Sequence, residues 1–130
     1  MDHDLRNSRN DTELAVLSGM LAASNDACWC MEFGLPVDLA TPDAEVERQI
    51  FENDPVRRHC NQAMARLYHV PAGEDMNARP VREIFPRNRQ NEDFIRNLIA
   101  NGFEVDEAPV LDRRYDGLEI YVENDVRAYR

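Results

Sequence analysis

Several features that would assign a functional class are missing from this sequence. No stretch of about 18 consecutive apolar residues occurs, and the opening MDHDLRNSRND is polar and of mixed charge. We therefore expect neither a membrane-spanning helix nor a secretory signal. The motifs GxxxxGKS/T, GxGxxG, GxSxG and HExxH are absent, and the chain contains only five glycines. Phosphate binding by a glycine-rich loop is therefore disfavoured.

Positive charge and cysteine are also scarce. The net charge is −10, from 25 acidic and 15 basic residues. A negative surface repels phosphate backbones and anionic lipid, so we expect no direct nucleic-acid partner and no membrane partner. The three cysteines are an odd number in a chain long enough to fold without disulfides. This favours free thiols and a cytoplasmic location.

The N-terminal part of the chain has one helical pattern. Residues 1–10 are expected to be a disordered lead-in, and residues 11–25 are predicted to form a helix. Leu14, Leu17 and Leu21 recur at helical spacing along it. This leucine stripe packs either on the domain's own core or against a second copy of the chain.

A strand and a short helix are predicted next. Residues 27–33 alternate between apolar and polar positions, which is typical of a half-buried strand. Thr41 followed by Pro42 predicts an N-cap and a proline at the first helical position. The helix that follows carries Val46 and Ile50 inward.

The stretch RHCNQAMARLYHV, residues 57–69, permits three interpretations: a metal site, a cysteine nucleophile beside its base, or the junction of a strand and a helix. The third predicts a strand over residues 56–60 and Asn61 as the N-cap of a helix. That helix would carry Met64, Leu67 and Tyr68 inward.

The metal and nucleophile interpretations have weak support. Cys28 and Cys30 would share one face of a strand, but the consecutive His59 and Cys60 would point to opposite faces. Zinc needs about four converging ligands, and a cysteine nucleophile needs its histidine within hydrogen-bond reach. We therefore predict no metal and no catalytic residue here.

The C-terminal half is predicted to contain a helix and a hairpin. At most one or two helical turns fall within residues 74–86, and an amphipathic helix spans residues 89–101. From residue 103 the apolar period returns to two, and Asp-Gly at 116–117 predicts a hairpin turn. Pro109 implies a bulge or an edge strand. The order of elements predicts an α+β fold with one antiparallel sheet and the helices on one face.

With the strand and helix placed, the segment HCNQAMARLYHV, residues 59–70, resembles the strand-to-helix segment of PAS sensory domains. There an Asn ends the second strand and caps a helix of the form N-x-A-x-A-x-L/M-Y-G. The matching residues are Asn61, Ala63, Met64, Ala65, Leu67 and Tyr68. His69 stands where the family usually has Gly.

The resemblance extends over residues 26–130, through AGEDMNARPVREIFP and NEDFIRNLIANG to the hairpin. It implies a PAS-like antiparallel sheet preceded by an N-terminal amphipathic helix. PAS sheets have five strands, and the last one is apparently missing here. We therefore expect the domain to be truncated at its C-terminus, or another strand to cover the open edge.

The resemblance also bears on cofactors. Flavin-binding members carry an Asn-Cys-Arg-Phe-Leu-Gln signature, and this chain has ARPVREIFP in that place. Haem-binding members commonly use a histidine on the long helix, and residues 89–101 contain none. Flavin and haem are therefore both disfavoured, and no cofactor is predicted.

What the resemblance implies instead is a small-molecule pocket between sheet and helices, or no ligand at all. The predicted lining residues are Trp29, Met31, Arg58, Cys60, Met64, Leu67, Phe94, Leu98, Phe103, Ile120 and Tyr121. Arg58 could bind a carboxylate with both nitrogens, or it is a surface residue.

These features predict a PAS-type sensory and dimerisation domain of a signal-transduction or transcription regulator. It would bind a small apolar or aromatic ligand, or none, and would not be an enzyme. It would form homodimers through Leu14, Leu17 and Leu21 and act on an output domain in a longer native chain. The alternative is a small cone-shaped α+β hydratase or isomerase that uses a buried acid–base pair such as Asp106 and His59.

Overall fold

We describe the molecule from a computed structural model that covers residues 2–128, with side chains from Ser8 onward. The helices are α1 (Asp2–Ala23), α2 (Asp43–Glu52), α3 (Gln62–Leu67) and α4 (Arg89–Ala100), and one 3₁₀ turn covers Val81–Glu83. The strands are β1 (Cys30–Phe33), β2 (Pro55–Arg58), β3 (Glu104–Arg113) and β4 (Glu119–Arg127). The predicted α+β class is confirmed. Within residues 2–128, no helix has the length and apolar character that crossing a bilayer requires.

The strands form two sheets rather than the single sheet that the element order predicts. β1 pairs antiparallel with β2, with Cys30 opposite Arg58, and β3 pairs antiparallel with β4. In the described part of the chain, β1 and β4 do not pair with each other. The indole Nε1 of Trp29, just before β1, donates to the side-chain oxygen of Asn124 on β4 at 3.3 Å. This side-chain hydrogen bond links the segment just before β1 to β4.

Two groups of buried apolar side chains hold the helices on the sheets. The larger group joins α2, α4 and β3 and consists of Val46, Ile50, Phe94, Ile95, Leu98, Val105, Ala108 and Val110. The smaller group, Met64, Tyr68, Met76 and Ile84, lies around α3. Burial of such side chains is the main stabilising contribution in a domain of this size.

The first two helices begin elsewhere than predicted. α1 starts at Asp2, so the lead-in expected over residues 1–10 is helical from its second residue. The Thr12 hydroxyl donates to the carbonyl of Ser8 at 2.9 Å, so the chain is already helical before the predicted start. Pro42, not Thr41, is the N-cap of α2, because the Thr41 hydroxyl donates to the Asp38 carbonyl at 2.7 Å instead of facing the helix.

In the second half of the chain, the structure agrees with the helix and turn signals of the sequence. Asn88 caps α4 by accepting from the amide of Asn91 at 2.8 Å. Gly117, in the predicted turn between β3 and β4, has a φ of +91°, which glycine adopts without a steric cost. The pairing of β3 with β4 shifts between Val105 and Ala108, where Glu107 has a φ of +53°. Pro109 was predicted to mark a bulge or an edge strand; the bulge lies just before it, and β3 is also an edge strand because its sheet has two strands among the residues that the structure describes.

Candidate functional site

Asn61 joins three parts of the chain. Its side-chain oxygen accepts from the amide of Met64 at 3.0 Å, which is the predicted N-cap of α3, and from the amide of Cys28 at 3.0 Å. Its amide group donates to the carbonyls of Leu21 at 3.0 Å and Asp26 at 2.8 Å. The junction of strand and capped helix is therefore confirmed, and it also ties α1 to the domain.

A cavity lies between the two sheets and helices α3 and α4, and we call it the central cavity. Its volume is about 60 Å³. It is lined by Trp29, Met31, Arg57, Met64, Tyr68, Val81, Ile84, Phe85, Phe94, Ile95, Leu98, Val110, Asp112, Asn124 and Val126. Most of these side chains are apolar, and the methionines give an adaptable wall.

Part of the predicted lining borders this cavity. Trp29, Met31, Met64, Phe94 and Leu98 do so. Arg58, Cys60, Leu67, Phe103, Ile120 and Tyr121 do not. Ile120 and Cys60 instead pack beside the group around α3, and Phe103 packs against the larger group.

The error on β2 concerns neighbouring arginines. Arg57 is 2 % exposed and borders the cavity, whereas the exposed guanidinium of Arg58 pairs with Glu32 at 2.8 Å. The prediction assigned Arg58 and Cys60 to one face by alternation. His59 has a φ of +54°, which interrupts the extended backbone. The side on which Cys60 lies therefore does not predict the side on which Arg58 lies.

On α3 and β4, the prediction also placed exposed side chains on the inward face. Leu67 is 36 % exposed, and Tyr68, one residue later, is the buried side chain. Tyr121 is 73 % exposed because β4 alternates, with Ile120 and Val122 on the inner face. The prediction placed both Ile120 and Tyr121 inward, which consecutive strand residues cannot do.

The prediction also missed residues that give the cavity a polar end. The buried Arg57 donates from Nε to the carbonyl of Met76 at 3.2 Å, and its Nη2 donates to Glu83 at 3.4 Å and to the hydroxyl of Tyr115. Arg79 donates to Glu83 at 2.9 Å, and this hydrogen bond is the main reason that the pKa of Glu83 lies below its ordinary value. Glu83 therefore remains ionised and offsets the charge of Arg57.

Asp112 is the second buried polar group that borders the cavity, and it is 4 % exposed. One of its oxygens, Oδ2, accepts a hydrogen bond from the hydroxyl of Tyr68. Burial raises the pKa of Asp112 to about 7, although the hydrogen bond from Tyr68 acts in the opposite direction. Burial also raises the pKa of Tyr68, so Tyr68 keeps its proton and acts as the donor. Alternation along β3 from Val110 could have indicated that Asp112 faces inward.

Two atoms of these cavity-lining residues lack a hydrogen-bond partner among the described residues. They are Nη1 of Arg57 and Oδ1 of Asp112. A buried polar atom without a partner typically costs about 1–3 kcal/mol, and more when it is charged. Both residues border the central cavity, so a molecule in the cavity can supply the partners.

A second hollow, of about 360 Å³, runs along the loop from Cys60 to Asn77. Most of its lining is exposed backbone and small or polar side chains. Burial raises the pKa of the Cys60 thiol, which disfavours a reactive thiolate. Although this hollow is larger, the side chain of its buried polar residue Asn61 is fully hydrogen-bonded, whereas Arg57 and Asp112 of the central cavity each keep a polar atom without a partner among the described residues. We therefore assign the site to the central cavity.

The alternative acid–base pair is not assembled. Asp106 is exposed and forms a salt bridge with Arg127 at 2.8 Å. His59 is also exposed, in the bend that follows β2. Among the described side chains, which begin at Ser8, no three from His, Cys, Asp or Glu come together as metal ligands would.

The leucine stripe of α1 does not pack on the domain's own core along most of its length. Leu14 is 62 % exposed and Leu17 is 61 % exposed, while Leu21 is half-buried. Packing of this stripe on the domain's own core is therefore not observed for Leu14 and Leu17.

Neither the protein-family models nor the curated proteins with which we compared the chain match it.

Proposed function

We propose that this chain is a sensory and dimerisation domain of the PAS type, from a signal-transduction or transcription regulator, and that it works by binding a small aromatic molecule in the central cavity. The observation that carries this proposal is an apolar cavity between sheets and helices, bordered by Trp29, Met31 and Met64. Such a cavity with a few convergent polar groups is the usual form of a small-molecule site. The order and spacing of the PAS-like segments support the same function.

The size of the cavity limits the ligand to about one ring. One buried water needs about 10–15 Å³ of cavity volume. The 60 Å³ of the central cavity is therefore room for about four or five waters. That is close to the size of one six-membered ring, with the side chains of Met31 and Met64 adjusting to a substituent.

The signal would pass from the cavity to α1 through Asn61. The helix that Asn61 caps contributes Met64 to the cavity, and the Asn61 amide holds the carbonyl of Leu21 at 3.0 Å. A ligand that fits one packing of the sheets better than another shifts the population toward that packing. We propose that this shift changes how α1 associates with a second copy through Leu14 and Leu17.

The experiment uses the single tryptophan of the chain as its probe. Toluene is titrated into the protein, and Trp29 emission and the melting temperature are recorded. We expect a saturable change in emission and a raised melting temperature, because the ligand binds only the folded state. Leu98→Phe, which fills the cavity, should abolish both effects, and Leu118→Phe on the exposed hairpin turn should preserve them. No effect of toluene or of a diverse metabolite panel would contradict ligand sensing and leave an association-only role.

A second candidate function is acid–base catalysis, as in a hydratase or isomerase. The observation that favours it is the buried Asp112, whose pKa is raised by burial to about 7, a value suited to a general base. The two functions differ in what happens to a bound molecule. An enzyme of this kind returns the ligand hydrated, isomerised or labelled by solvent deuterium, and a sensor returns it unchanged, as mass spectrometry would show.

A further inference from the structure

The polar end of the central cavity carries information about the ligand that its apolar walls do not. Arg57 on β2 and Asp112 on β3 are both more than nine-tenths buried, and both border the same cavity. In the chain as described, Nη1 of Arg57 can still donate and Oδ1 of Asp112 can still accept. Their other polar atoms are engaged, with Met76, Glu83 and Tyr115 around Arg57 and with Tyr68 on Asp112.

We infer that the central cavity recognises a one-ring aromatic molecule with a neutral group that both accepts and donates a hydrogen bond, of which a carboxamide is the simplest. Its acceptor oxygen would face Nη1 of Arg57, and its N–H would face Oδ1 of Asp112. This inference rests on the proposed function and adds the chemical class of the ligand.

Charge on the ligand is disfavoured from both sides. A carboxylate would satisfy Arg57 but would place a second negative charge beside the buried Asp112. An ammonium group would satisfy Asp112 but would face the guanidinium of Arg57. Glu83 already lies 3.4 Å from Arg57, so the cavity does not need an anion for charge balance. A neutral group with a donor and an acceptor satisfies both free atoms without adding charge.

An apolar ring alone is also a poorer ligand than its amide. It would fill the space beside Trp29 and Met64 but leave the two polar atoms without partners. Sites built to hydrogen-bond a polar group discriminate strongly against the analogue that lacks it, because their buried polar atoms then remain unpaired. The amide should therefore bind more tightly than the hydrocarbon of similar shape.

The test compares four compounds that share one ring: benzamide, toluene, benzoate and benzylamine. Burial raises the pKa of Asp112 to about 7, so titrations at pH 8 present the carboxylate form. Trp29 emission gives the dissociation constants. We expect benzamide to bind at least tenfold more tightly than each of the other three.

A variant of Asp112 makes the test specific. In Asp112→Asn the amide oxygen can accept from Tyr68, which leaves the amide nitrogen to donate into the cavity that Arg57 also borders. Two donors favour a carboxylate, so we expect benzoate to gain at least tenfold and benzamide to lose affinity. Glu123→Gln, the same chemical change on an exposed residue of β4, should leave all four affinities unchanged.

The outcomes separate this inference from the proposed function. If toluene binds as tightly as benzamide, the inference is wrong and the apolar sensor stands. If none of the four compounds binds, the proposed function fails and the inference fails with it. The comparison in the wild-type protein decides the matter even where Asp112→Asn does not fold.

Discussion

The hydroxyl of Tyr68 donates a hydrogen bond to the buried carboxylate of Asp112, and this contact joins α3 to β3. The two residues are 44 positions apart in the chain, and both are nearly inaccessible to solvent. Burial dominates the titration of Asp112 and raises its pKa from 3.8 to about 7. The hydrogen bond from Tyr68 only partly compensates for the lost hydration.

This contact predicts an unusual dependence of stability on pH. Asp112 binds its proton more tightly in the folded state than in the unfolded state, so the free energy of unfolding should fall as pH rises from about 4 to about 7. The contribution of this carboxyl is neutral below that window and fully destabilising above it. Its size over the window should be on the order of 4 kcal/mol, since one pKa unit corresponds to about 1.4 kcal/mol.

Urea denaturation at several pH values measures this effect in wild type and in Asp112→Asn. We expect the variant to lack the fall, so that the two proteins differ most above pH 7. Glu123→Gln serves as the control, because it removes an exposed carboxyl. Parallel pH profiles for Asp112→Asn and wild type would show that the carboxyl does not titrate in this window.

The second prediction concerns Asn61. Asn61→Ala removes the cap of α3 and leaves the carbonyls of Leu21 and Asp26 without their donor, so we expect a loss of about 2–3 kcal/mol. Asn61→Asp keeps the acceptor for Met64 but turns a carboxylate oxygen toward the carbonyls of Leu21 and Asp26, so its loss should be at least as large. Gln62→Ala, one residue further on an exposed position, is the matched control. Chemical denaturation gives the three values, and a smaller loss for Asp than for Ala would mean that the retained cap outweighs the contact between the carboxylate oxygen and the two carbonyls.

Local chemistry explains which parts of the fold could be predicted. Asn61 and Asn88 cap helices through their own side chains, and Gly117 makes its turn through its own backbone freedom. Each signal depends on a few neighbouring residues, so it can be recognised in the sequence. The helix over residues 89–101 was predicted within one residue of its observed end for the same reason.

Long-range geometry explains what could not be predicted. The division of four strands into two sheets depends on the space between β1 and β4, which no local pattern records. A single residue with positive φ also changes the inward face, as His59 does just after β2 and Glu107 does within β3. Alternation therefore predicted Arg58 as a cavity residue in place of Arg57, and it did not identify Asp112 as a cavity residue.

The third prediction tests which face of α3 points inward. Met64 is buried against the central cavity, so Met64→Ala should cost about 2–5 kcal/mol through lost burial and an enlarged cavity. Leu67 is on the same short helix but faces solvent, so Leu67→Ala should cost less than about 1 kcal/mol. Denaturant midpoints of the two variants give the comparison. Equal destabilisation would place Leu67 in the core after all.

The fourth prediction concerns the exposed leucines of α1. Burying one leucine is worth about 1.5–3 kcal/mol, so Leu14 and Leu17 together can support association of two α1 helices. Leu17→Glu places a charge in that contact and should convert dimers to monomers. Ala15→Glu adds the same charge on another face of the helix and should leave the dimer intact. Light scattering after size-exclusion chromatography gives the mass of each variant; a Leu17→Glu protein that remains dimeric would place the interface elsewhere on the molecule.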